Sequence, residues 1–112
     1  MDNDDGSAYY YTHHNYFAYA DTGMKNDFNG HDNVHKNNVY AYIKQGVGIC
    51  GAFPGHQDSF IGNKIIQKRS GGYADYDCDC NATKSCPLFS DNQIFTPDGT
   101  IIAVKRLLVS LD

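Results

Sequence analysis

Two histidine-and-acid steps sit in similar turns of this chain, Gly30-His31-Asp32-Asn33 and Gly55-His56-Gln57-Asp58. Asp32 and Asp58 each lie five residues before an asparagine, Asn37 and Asn63, so in stacked coils they would fall side by side. Two carboxylates about 5 Å apart raise one pKa, share a proton or hold a divalent cation. That spacing also suits the acid and nucleophile of a retaining glycosidase. A histidine or aspartate beside Lys25 or Arg69 would instead take the proton next to a uronic acid carboxylate, with the cation neutralising the developing charge. Lys25, in Gly23-Met24-Lys25-Asn26-Asp27-Phe28, precedes the His31 turn closely and is the better placed of the two. His31, Asp32, His56, Asp58 and Lys25 are therefore the candidate catalytic residues. Asp5 and Asp27 each lie ten residues before Asn15 and Asn37, and would form a second column able to hold a cation such as Ca2+. The structural alternative is that Asp32 and Asp58 cap turns by bonding their own backbone. His13 and His35, each two residues before Asn15 and Asn37, are read mainly as surface or ladder residues.

The elements that must position these groups show in a repeat. Asn15, Asn37, Asn63 and Asn92 are spaced by 22, 26 and 29 residues. Each is followed two residues later by Phe17, Val39, Ile65 or Ile94. A period of this size, with β-type residues in alternation, predicts a coiled stack of parallel strands. Each asparagine stands at the bend before its strand, where its amide can bond its own coil and the asparagine of the next. Ordinary turns between antiparallel hairpins are the alternative. Asn, Gly, β-branched and aromatic residues leave little helix propensity. Residues 1–99 are expected to form about four coils, with long inserts at 44–55 and 70–87. Residues 100–112 would make a final strand or a capping segment. Open coil ends expose strand edges and core, so further coils or a partner domain are expected, the chain being read as part of a longer stack.

Thirteen acidic against nine basic side chains give a net charge of −4, which disfavours binding to nucleic-acid backbone. No apolar run is long enough to span a membrane, and the acidic start, Met1 to Gly6, is no signal peptide. Yet Cys50, Cys78, Cys80 and Cys86 read as disulfide candidates in three possible pairings, and Asn81-Ala82-Thr83 as a glycosylation acceptor. Together they predict an extracellular or secretory setting. Nine tyrosines and six phenylalanines exceed what a narrow interior needs. Tyrosines on an outer face, Tyr16 and Tyr40 among them, with Arg69, would offer a strip for sugar rings or a packing face for another domain.

With its Asn-x-apolar steps at Asn15, Asn37, Asn63 and Asn92, and its two Gly-His turns, the chain resembles the right-handed parallel β-helix proteins, the fold of pectate lyases and polygalacturonases. The resemblance covers about residues 4–99. It implies an all-β solenoid with a polysaccharide as substrate or ligand. Neither the carboxylate motifs of a polygalacturonase nor the acidic calcium cluster with arginine of the common pectate lyases is present. The expected function is a carbohydrate-active enzyme, lyase or hydrolase, acting on an extracellular polysaccharide. The alternative is a non-catalytic carbohydrate-binding or structural repeat module.

Overall fold

The computed structural model describes residues 1–3, 6–26, 30–49, 54–68, 74–75 and 87–101, and these form strands, turns and no helix. In chain order the strands are β1 (Asp2–Asn3), β2 (Tyr11–His13), β3 (Tyr16–Ala18), β4 (Thr22–Asn26), β5 (Val34–Lys36), β6 (Val39–Ile43), β7 (Gln45–Ile49), β8 (Ser59–Ile61), β9 (Lys64–Gln67), β10 (Ala74–Asp75), β11 (Leu88–Ser90) and β12 (Gln93–Phe95). They make three four-stranded sheets, ordered β1-β4-β7-β10, β11-β8-β5-β2 and β12-β9-β6-β3. Every pair in these sheets is parallel. Parallel neighbours need a long crossover between them. Here the crossover consists of the strands of the other two sheets. The passage β2-β3-β4 visits all three, and β5-β6-β7 repeats it. Strands β7 and β10 lie within the segments 44–55 and 70–87, so each of those segments contributes a strand to the first sheet.

The pairing fixes the repeat. Tyr11 faces Val34, Val34 faces Ser59 and Ser59 faces Leu88, advances of 23, 25 and 29 residues. On the next sheet Tyr16, Val39, Lys64 and Gln93 advance by the same 23, 25 and 29. The bend between these sheets is made by His14, Asn37, Gly62 and Asp91, whose φ values are 54°, 56°, 64° and 58°. A left-handed residue costs about 1–2 kcal/mol for most side chains but little for glycine, with Asn and Asp intermediate. Three of the four residue types therefore match the demand of the bend.

One residue after that bend comes the ladder. The side-chain carbonyl of Asn38 accepts from the backbone N–H of Asn15 at 3.0 Å, Asn63 accepts from Asn38 at 2.8 Å, and Asn92 accepts from Asn63 at 2.8 Å. The amide groups of Asn38, Asn63 and Asn92 donate to the carbonyls of Thr12, His35 and Phe60 at 2.8–2.9 Å. The rung of the second coil is thus Asn38, not Asn37, which is exposed and forms the bend. Both Asn37-Asn38-Val39 and Asn38-Val39-Tyr40 fit the Asn-x-apolar pattern. A slip of one residue exchanges the two faces of a strand. The inward column is therefore Phe17, Tyr40, Ile65 and Ile94, with Val39 facing away.

Met24, Tyr40, Ile43, Phe60, Ile65 and Ile94 form the core, with Phe17 and Phe89 packed against it. Aromatic rings stack along the coils. Phe17 lies 5.2 Å from Tyr40, Tyr40 5.7 Å from Phe60 and Phe60 5.8 Å from Phe89, within the range of favourable ring pairs.

Candidate functional site

The second bend of the coil, before β2, β5 and β8, gathers the titratable groups. Val34 pairs with Ser59, and the same register sets His31 beside His56, Asp32 beside Gln57 and Asn33 beside Asp58. Asp32 is left-handed at φ 54°, as is Tyr9 one coil away at φ 64°. That conformation turns the Asp32 carboxylate outward between two imidazoles. Its Oδ2 accepts from Nδ1 of His31 at 2.8 Å and from Nδ1 of His56 at 2.5 Å. The two rings lie 4.3 Å apart, and Tyr9 meets His31 edge-on at 5.2 Å. All three side chains are partly exposed, at 18%, 32% and 34% for His31, Asp32 and His56. The hydrogen bond from His31, then that from His56, holds the Asp32 carboxyl below its usual range.

Asp58 goes the other way. It is buried, and its Oδ1 accepts the backbone N–H of Asn33 at 2.8 Å while Oδ2 faces the amide of Asn26 at 3.3 Å. Burial pushes its pKa up, against the pull of those hydrogen bonds. Asp58 thus occupies a rung in a second, shorter ladder. Asn33 accepts from Tyr10 N–H at 3.1 Å and donates to Ser7 O at 2.8 Å in the coil before. The expected stacking of Asp32 on Asp58 does not form, because the rung of that repeat is Asn38 and not Asn37. Counted from Asn38, the two differ by one residue and point to opposite sides of the backbone.

Between the sheets, His35 is fully buried. Its Nε2 lies 3.3 Å from Asn26 Oδ1 and 3.4 Å from the Asn3 amide nitrogen, and its Nδ1 has no partner among the described residues. Burial, with a smaller contribution from the amino-terminal charge, lowers its pKa to about 4, so the ring is neutral near pH 7. His13 does not stack on His35. It pairs in register with Lys36, is exposed, and meets His14 instead, Nδ1 to Nδ1 at 2.9 Å.

The remaining candidates divide cleanly. Lys25 stands on β4, 3.7 Å from Asp2 in an exposed ion pair. Tyr16 is exposed, whereas Tyr40 is fully buried in the core and offers no surface to a sugar. Asp5, Asp27, Arg69, Asn81 and Cys50, Cys78, Cys80 and Cys86 lie outside the described residues. Asn38, Asn33 and the inward position of His35 escaped sequence reasoning. A constant step would have found them: 25 residues separate His31 from His56, Asn33 from Asp58 and Asn38 from Asn63.

Tyrosines crowd the surface of the coil that holds β2 and β3. Tyr9, Tyr10, Tyr11, Tyr16 and Tyr19 are 54–75% exposed. Tyr11 leans on His13 at 4.4 Å, and Tyr19 stacks on Tyr42 at 5.4 Å with planes 11° apart. No helix among the described residues is long and apolar enough to cross a membrane. No family model, curated protein or solved structure matches the chain.

Proposed function

We propose that the chain forms coils of a right-handed parallel β-helix, akin to the pectate-lyase-like proteins, and that it binds an extracellular polysaccharide without cutting it. The rotation of strands through three parallel sheets and the asparagine ladder support the β-helix. The observation that carries the binding function is the exposure of five tyrosines within residues 9–19. Tyrosine presents a large flat face with a polar tip at low entropic cost, which suits the C–H faces and hydroxyls of sugar rings. Exposed apolar patches of this kind mark interaction sites. The catalytic alternative loses support from Asp58, which faces inward, and from Lys25, which pairs with Asp2.

Affinity electrophoresis against a panel of neutral and uronate polysaccharides tests this. Retardation by at least one polymer, lost in Tyr11→Ala/Tyr16→Ala/Tyr19→Ala, is expected. These rings are exposed, so losing the Tyr11–His13 and Tyr19–Tyr42 contacts should lower the melting temperature only slightly and leave the variant folded in the assay. No retardation by any polymer, or retardation unchanged in the triple variant, overturns the proposal. Release of unsaturated or reducing sugar ends, abolished by His56→Ala, would replace it with a catalytic function.

A further inference from the structure

We propose that His31, Asp32 and His56 form a binding site for a borderline divalent cation of the zinc type. This goes beyond polysaccharide binding and does not depend on it. One nitrogen from each imidazole and one carboxylate oxygen lie within 4.8 Å of one another. Both Nδ1 atoms already converge on a single point, Asp32 Oδ2, at 2.8 and 2.5 Å. In a tetrahedral zinc site, bonds of about 2.0–2.1 Å set ligand atoms about 3.3 Å apart. The two Nδ1–Oδ2 distances would have to widen toward that value, which three partly exposed side chains can accommodate by rotation.

Three features make the cluster a site rather than a chance meeting. The two histidines come from consecutive coils and are aligned by the β5–β8 pairing, so the backbone sets their separation. The left-handed conformation of Asp32 aims its carboxylate between them. Tyr9 closes one side against the His31 ring. Two imidazole nitrogens among three donors favour zinc-type ions over calcium or magnesium, which take oxygen ligands. Three protein ligands at a partly exposed bend leave the fourth position to water.

The proposal includes a tautomer change. Without metal, both rings donate Nδ1–H to Asp32. With metal, Nδ1 is the ligand and the ring proton sits on Nε2.

The test is titration of the whole chain, after treatment with iodoacetamide to cap any free thiol, with zinc chloride and separately with calcium chloride. Binding is read by calorimetry, and the ring nitrogens by long-range 1H–15N spectra. One zinc per chain is expected, with the protonated nitrogen of His31 and His56 moving from Nδ1 to Nε2 while His35 is unchanged. Affinity should fall at least about tenfold in His31→Ala and in His56→Ala. It should persist in His13→Ala/His14→Ala, and calcium should bind at least about tenfold more weakly than zinc. Absence of zinc binding overturns the site. So does zinc binding that leaves the His31 and His56 nitrogens unmoved, affinity unchanged in either single variant, or calcium binding as tightly as zinc. The spectra of the unsubstituted chain decide the matter even if a variant fails to fold.

Discussion

Acid should loosen this fold through one buried ring. His35 is fully buried, and its pKa is lowered to about 4 from the 6.5 of a free imidazole. Above pH 6.5 the ring is neutral in both the folded and the unfolded chain, and the stability it allows is fully present. As pH falls below 6.5 the unfolded chain takes up the proton first, and stability drains away until the folded ring also protonates near pH 4. At about 1.36 kcal/mol per pH unit, the loss across this window is about 3 kcal/mol. That is a large part of the roughly 5–15 kcal/mol that holds a small domain together. The groups touching the ring are the amides of Asn3 and Asn26 and the Phe60 ring, none of which titrates here, while the amino-terminal charge adds a smaller push in the same direction as burial. Asp58, with its raised pKa, works in the opposite sense, because its folded carboxyl takes up a proton before the unfolded one does. It is common to both proteins in the comparison and cancels. Urea unfolding of the native chain and of His35→Gln, which keeps a donor for Asn26 and does not titrate, should be followed from pH 7 to pH 4. The native chain should lose about 3 kcal/mol more than the variant over that range. Parallel stability curves would refute the assignment of a buried neutral imidazole.

Other substitutions probe the register and the polar rungs. Asn63→Ala removes the acceptor for Asn38 N–H and the donor to His35 O, two buried backbone groups, and should cost about 2–5 kcal/mol in chemical denaturation. Asn37→Gly, at the exposed left-handed bend, should be neutral or slightly stabilising in the same assay, whereas Asn38→Gly should be strongly destabilising. Gly62→Ala should cost at least about 1–2 kcal/mol, since φ is +64° and a Cβ would stand 2.5 Å from Asn37 Oδ1. In the double variant Asn37→Gly/Gly62→Ala the clash is gone and part of that loss returns, which a double-mutant cycle measures. Asp58→Asn should change stability little at pH 7, because it keeps the acceptor for Asn33 and removes a buried charge but sets an amide N–H against the Asn26 amide in place of its acceptor. Its stability relative to the native chain should fall as pH falls through the raised Asp58 pKa of the native chain, as urea unfolding at pH 7 and pH 4 would show.

Composition, the asparagine spacing and the alternation of strand residues by themselves determined an all-β chain of parallel strands with asparagine rungs at its bends. These are local properties: propensity, turn chemistry and a period of two. They reached Asn15, Asn63 and Asn92 and the pairing of His31 with a neighbouring acid. They could not choose between Asn37 and Asn38, since both satisfy the same short pattern, and every offset counted from the wrong rung carried the error. Only the pairing of β5 with β8 and of β6 with β9 decided the register. That choice put Tyr40 in the core, turned Asp58 inward as a rung and brought His56 onto Asp32. The physical reason is that a strand changes face at every residue, so one step of register moves a side chain from water to core.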